Sequence, residues 1–168
     1  MKIFLIAGKS GSGKTEAAKL IKKNLDKTVV TNFSKYIKLF ALEMTDWDGS
    51  DQNKPRTFLQ QMGDRLRKID KYFLPKRIME DILIYEQDYD YLVICDVRLL
   101  DEINYIKEHN EGVVTIMIEG KSSNKLSLEE QNHCTENEFM NYDYDYVIKN
   151  NYDDNFEKDI LEIISKEV

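Results

Sequence analysis

The stretch Gly8-Lys9-Ser10-Gly11-Ser12-Gly13-Lys14-Thr15 follows the apolar run Ile3-Phe4-Leu5-Ile6-Ala7 and opens a helical pattern. Two glycines five residues apart, with Lys and Thr directly after the second, match the template of a phosphate-binding loop between a strand and a helix. Glycines let the backbone curl into a concavity whose N–H groups point inward at phosphate oxygens. The helix beginning near Lys14 adds the positive end of its dipole at the same point. On this reading the eight residues cradle a nucleoside triphosphate, the Lys14 ammonium reaches the outer phosphates, and the Thr15 hydroxyl sits on Mg²⁺. The alternative is a plain Gly/Ser turn. The strand before it and the helix after it favour the phosphate loop.

The rest of the chain supplies the sheet such a loop needs. Strands are expected over about Lys2–Ala7, Thr28–Phe33, Tyr91–Cys95, Val113–Ile118 and Asp145–Lys149. Helices are expected from Lys14 to about Leu25, after a capping Ser34 (Tyr36, Ile37, Phe40, Met44), and from Pro55 (Phe58, Met62, Leu66, Ile69). Three more follow, marked by Ile78, Met79, Ile82 and Leu83, by Leu99, Ile103 and Ile106, and by Phe156, Ile160, Leu161 and Ile164. The near-continuous apolar run at Tyr91–Cys95 reads as a strand buried on both faces. Strands alternating with helices predict an α/β fold of three layers around a central, mostly parallel sheet. The two helices between Pro55 and about Glu86 exceed what a crossover needs and read as an inserted substrate-binding part rather than more core. Tyr142-Asp143-Tyr144-Asp145-Tyr146 reads as a strand entry with its tyrosines on one side.

The 168 residues, 42% of them hydrophobic, suit one domain with a sizeable core. No repeat or Pro/Gly-rich linker divides it. A net charge of −7 argues against a nucleic-acid polymer as partner, since that footprint needs a basic face. Cys95 and Cys134 form no metal-type spacing and read as reduced thiols. The N-terminal apolar run is too short for a signal peptide, and nothing approaches the length of a membrane span, so a cytoplasmic protein without membrane contact is expected.

Beyond the loop, Asp96 ends the buried strand Tyr91–Cys95. Ligands of open α/β sheets bind outside the carboxyl ends of strands, which places Asp96 near the phosphates and the metal. Otherwise it would be a helix or turn cap. Arg98 shares that rim, within reach of a transferred phosphoryl group, or is a surface arginine. On the helix from Pro55, steps of about 100° put Arg56, Gln60, Gly63 and Arg67 in one stripe, away from the apolar one. Two guanidiniums beside a glycine suit a monophosphate, because the arginine fork matches phosphate oxygens. A solvated polar face is the bland alternative. Arg65 falls nearer the apolar stripe and is the weaker candidate. Residues from about 120 to 141 carry Lys121, Lys125, His133 and Glu136 and read either as a lid over the phosphates or as a surface excursion.

Taken together, these residues resemble the phage-type deoxynucleoside monophosphate kinases, within the nucleoside monophosphate kinase group. The matching pieces are the phosphate loop, Phe33-Ser34 with Lys38, PRTFLQQMG from Pro55 to Gly63, and Arg67. DVRLLDEI from Asp96 to Ile103, HCTE from His133 to Glu136 and DYVIKNN from Asp145 to Asn151 complete the series. The resemblance implies a P-loop kinase fold with a helical monophosphate-binding part over about 34–88 and a lid over about 120–141. It implies ATP and Mg²⁺ as cofactors and a deoxynucleoside monophosphate as the substrate taken to the diphosphate. Catalytic roles then fall to Lys14, Asp96, Arg98 and Arg67, metal binding to Thr15 and Asp96, and substrate binding to Ser34, Lys38, Arg56, Gln60, Arg67 and His133. The lid departs from the pattern, with lysines and a histidine where related kinases commonly place arginines. Base, sugar and oligomeric state (a homodimer included) stay open.

Three rivals share the loop. A kinase of another small phosphorylated metabolite, such as dephospho-coenzyme A or phosphomevalonate, would have the same layout. A nucleotide-switch GTPase is weakened at Asn124-Lys125-Leu126-Ser127, where Ser127 replaces the aspartate that pairs with guanine. A catalytically silent homologue would bind ATP and transfer nothing.

Overall fold

Strand β1 (Lys2–Gly8) is the centre of a sheet whose five strands all run parallel, in the order β2-β3-β1-β4-β5. The others are β2 (Thr28–Thr31), β3 (Tyr91–Val97), β4 (Val113–Glu119) and β5 (Tyr146–Lys149). The helices are α1 (Lys14–Asn24), α2 (Lys35–Met44), α3 (Arg56–Ile69), α4 (Phe73–Tyr85), α5 (Leu100–His109) and α6 (Asn155–Glu167). The computed structural model describes residues 1–121 and 137–168.

Alternate side chains of β1 enter opposite cores, as strand geometry requires. Phe4 and Ile6 pack with Ala17, Ala18 and Ile21 of α1 and Phe156, Ile160 and Ile163 of α6. Ile3, Leu5 and Ala7 pack on the other face with Ile78 and Ile82 of α4 and Ile103 and Ile106 of α5. Each buried Ile, Leu or Phe among them contributes about 1.5–3 kcal/mol by leaving water. Helices thus cover both faces of the sheet, and the fold is the expected three-layer α/β kind. No helix among the described residues is long and apolar enough to cross a membrane.

Several local expectations are corrected. β2 stops at Thr31, and Phe33 lies beyond it, 2% exposed, in the core with Ile3 and Leu5. Ser34 holds the N-cap position of α2, but its hydroxyl donates to Asn32 Oδ1 at 2.8 Å instead of capping the helix. The two helices after Pro55 part company. α4 is core, with Leu74, Ile78 and Ile82 buried, whereas Gly63 is the one buried residue of α3. Ile69 at the end of the α3 stripe is 78% exposed, and Phe58 stacks on Phe40 of α2 with ring centroids 6.3 Å apart. Tyr142 and Tyr144 pack in one core and Tyr146 against the other, so the tyrosines do not share a side. Asp145 precedes β5 and accepts from the Thr115 N–H and hydroxyl at 2.8 and 2.7 Å. Phe139, in the stretch read as a lid, is fully buried within a short 3₁₀ turn over Glu138–Asn141.

Candidate functional site

All five strands point their carboxyl ends at one edge of the molecule, where the side chains of the site converge. The loop over residues 8–15 leaves β1 there. Its last glycine, Gly13, has φ 110, which an L side chain rarely adopts, and holds the N-cap position of α1, whose first residues line the cleft. The Lys14 ammonium, 8% exposed, turns back over the loop and donates to the Gly8 and Lys9 carbonyls at 2.7 and 2.8 Å. It also lies 3.6 Å from Asp96 Oδ1.

Asp96 is presented by a defect in β3. The strand runs on to Val97, but the register jumps from Ile6 opposite Cys95 to Ala7 opposite Val97, leaving Asp96 as a bulge with φ 71. Bulges re-aim a side chain at the end of a strand. Arg98 Nε donates to Asp96 Oδ1 at 2.7 Å. Burial by itself would raise the Asp96 carboxyl, but the charges of Arg98, Lys14, Lys38 and Lys54 prevail and hold it well below the usual carboxylate range. It stays ionised at any physiological pH. Burial pushes the Lys38 ammonium down, with Asp96 opposing, and Lys38 Nζ donates to Asn32 Oδ1 at 3.0 Å.

Among the described residues, two cavities open on this edge. The larger is lined by Ser10, Gly11, Gly13, Lys14 and Thr15, together with Asn32, Cys95 and Asp96. The smaller lies between α2, α3 and β3. Its walls are Phe33, Ser34, Ile37, Lys38, Leu59 and Leu74, with Arg56, Gln60, Gly63 and Arg67 along α3. Lys38, Lys54, Arg56, Asp96 and Arg98 line both and form their common rim.

The α3 stripe read from the sequence therefore faces a cavity. Its glycine has a use different from close approach of a ligand: a Cβ on Gly63 would meet Arg67 Nη1 at 3.0 Å, so the guanidinium of Arg67 itself folds over the helix there. Asp64 Oδ1 accepts from Arg67 Nη2 at 2.6 Å. Arg65 is exposed and lines neither cavity. Of the loop residues, Ser12 is fully buried behind the cradle, and Gly8 and Lys9 meet Lys14 through their carbonyls. His133, Cys134, Lys125, Glu136 and the Asn124–Ser127 stretch lie outside the described residues. Cys95 is a free thiol, as expected.

Lys54 and Glu102 were not singled out from the sequence. Lys54 ends a polar loop that offers no periodic signal. Glu102 could have been found, because Glu three residues into a helix is the reach-back partner of a capping box. Its Oε2 accepts from the Arg98 and Leu99 N–H groups at 2.8 and 3.1 Å, and burial pushes its carboxyl up to about 7 against those bonds.

Chemically, the larger cavity combines the N-terminus of α1, an ammonium, a hydroxyl and an ionised carboxylate. That donor set fits a polyphosphate with a hard cation. No cluster of three His, Cys, Asp or Glu side chains forms a cage among the described residues. A Mg²⁺ shared with phosphate oxygens and water needs only one or two protein oxygens, which Thr15 and Asp96 can supply. A family model described as deoxynucleotide monophosphate kinase matches residues 30–160, from β2 into α6. That span holds the smaller cavity and Asp96 but not the phosphate loop, whose reading rests on its own residues and geometry. No curated protein gives a significant match to the chain.

Proposed function

The chain belongs to the deoxynucleotide monophosphate kinase family, and from that premise we propose that it transfers the γ-phosphoryl group of ATP to a deoxynucleoside monophosphate, yielding the diphosphate and ADP. The observation that carries this reading is the common rim, where Lys38, Lys54, Arg56, Asp96 and Arg98 border both cavities. Direct transfer between two anions needs two seats joined end to end by positive charge, and little else from the protein.

In this mechanism Lys14 and the loop amides hold the donor phosphates. The Thr15 hydroxyl and the Asp96 carboxylate would hold Mg²⁺, which would supply charge neutralisation for the phosphates. Arg56 and Arg67 grip the acceptor phosphate, with Gln60 orienting it and Ser34 beside it. An acceptor phosphate oxygen attacks the γ-phosphorus, and the bond to the bridging β,γ-oxygen breaks as ADP leaves. Arg98 takes the role of charge neutraliser because its guanidinium sits on the rim, held by Asp96, whereas Arg67 lines the acceptor cavity alone. Lys38 and Lys54 add charge at the same point.

A phosphotransfer panel over the common ribo- and deoxyribonucleoside monophosphates tests this. We expect at least one deoxynucleoside monophosphate to be consumed well above the ATP-only background. Lys14→Ala should lower kcat/KM by about 10²-fold or more, the scale of losing one preorganised transition-state donor, with the circular dichroism spectrum unchanged. No acceptor consumed, or near-normal turnover in the Lys14 variant, refutes the proposal.

A further inference from the structure

The segment just after β5, which carries Asn150 and Tyr152, has no part in the transfer chemistry. The carbonyls of a tight glycine loop need donors, supplied from within the loop, from elsewhere in the chain or by water. Lys14 serves Gly8 and Lys9 from within the loop. The Gly11 and Ser12 carbonyls are served from far along the chain, through an exposed bond and a buried one respectively. Asn150 Nδ2 donates to the Ser12 carbonyl at 2.9 Å, and the Tyr152 hydroxyl donates to the Gly11 carbonyl at 2.9 Å.

This turn is built to stay in place. Asn150 is 7% exposed, its N–H donates to the Glu119 carbonyl at 2.7 Å, and its Oδ1 accepts from the Tyr152 N–H at 2.8 Å. With Oδ1 so used, the amide has one orientation, and Nδ2 faces the loop. Tyr152 has φ 63, an uncommon conformation for a tyrosine, and its ring is 57% exposed. Its hydroxyl also lies 3.2 Å from the Lys121 carbonyl, so its single proton is shared between the loop and the residues just after β4. Two glycines make room for the junction. A Cβ on Gly13 would collide with Asn150 Nδ2, and one on Gly120 would meet the Ser12 carbonyl oxygen at 2.6 Å.

We propose that Asn150 and Tyr152 are positioning residues for the triphosphate donor, clamping the carbonyls of Ser12 and Gly11 so that the loop keeps the shape that receives phosphate. The inference rests on the reading that this loop takes the triphosphate. Its effect must fall on the donor and spare the acceptor, which distinguishes a clamp from a general staple of the fold.

The test uses the full chain with Tyr152→Phe, which removes only the hydroxyl, and Asn150→Asp, which sets an oxygen against the Ser12 carbonyl. Calorimetry gives dissociation constants for ATP, for tripolyphosphate and for the best-accepted deoxynucleoside monophosphate, beside a thermal melt. Tyr152→Phe should weaken ATP and tripolyphosphate alike by about three- to tenfold, the scale of one net hydrogen bond, and leave the monophosphate constant and the melt unchanged. Asn150→Asp should weaken the same two ligands further; if it does not fold, Tyr152→Phe decides alone. Unchanged triphosphate binding in Tyr152→Phe overturns the clamp, as does an equal loss for donor and acceptor with a lowered melt. A loss confined to ATP also overturns it, by making Tyr152 a base contact. Failure of the unmodified chain to bind ATP is a different result, which removes the nucleotide reading itself.

Discussion

Glu102 is 5% exposed, and one of its carboxylate oxygens receives both the Arg98 and the Leu99 N–H. Burial raises its carboxyl from the ordinary 4.5 to about 7, because those two bonds do not make up for the lost water. The folded protein therefore keeps a proton that the unfolded chain has released. The stability this gives is complete below about pH 4.5 and is lost as pH rises through about 7. Glu102→Gln retains an oxygen for both N–H groups and cannot ionise. In urea titrations from about pH 5 to about pH 8, the unmodified protein should lose about 1–3 kcal/mol more unfolding free energy than the Gln variant. Parallel curves would remove this account. At this scale, legibility depended on whether a residue's role is local in sequence. Asp96 was readable because an apolar run ends on it, and Lys14 because its loop is contiguous. Lys54 reaches the rim only through the path of its loop, which no spacing encodes.

The α3 helix shows what an element can disclose and withhold. Its two stripes were legible from a 100° step, and the polar one does line a cavity. That α3 would be pinned so lightly was not legible, since periodicity gives a face and not its partner. α4 shows the same limit from the other side: its apolar positions fit an inserted part or a core helix equally, and only the sheet decides between them. Phe139 was hidden because a single buried ring in a polar stretch has no period. Within α3, Gly63 sets helix stability against site geometry. Gly63→Ala should gain up to about 1 kcal/mol of helix propensity. The new methyl would press on Arg67 Nη1 at 3.0 Å, and the guanidinium, a flexible tip, would give way from its place over the helix. The expected result is a slightly higher melting temperature with a several-fold rise in KM for the monophosphate and little change in KM for ATP. A variant that melts higher and binds monophosphate normally would show that Arg67 is not the grip.

For the molecule as a whole, the informative contrast is between its net charge of −7 and the charge inside its cleft. Among the described residues, the smaller cavity, the proposed acceptor seat, is lined by Lys38, Lys54, Arg56, Arg67 and Arg98 against Asp96 and Glu102, and burial raises the Glu102 carboxyl to about 7. Cations gathered in a cleft of an otherwise acidic chain favour a small anion there, in keeping with the proposed mononucleotide substrate. Such focusing is sensitive to salt, because the screening length falls from about 10 Å at 0.1 M to about 3 Å at 1 M. KM for the monophosphate should therefore rise about three- to tenfold between about 0.05 and 0.5 M KCl, with kcat changing much less. An unphosphorylated nucleoside used as a competitive inhibitor carries no charge for the cleft to focus, so its inhibition constant should change less than about twofold over the same range. Steady-state kinetics with both ligands at matched salt separate the electrostatic account from a general effect of salt on the fold. If nucleoside and monophosphate weaken together, the five cations are not what seats the acceptor, and the apolar wall of Phe33, Ile37 and Leu59 must carry recognition instead.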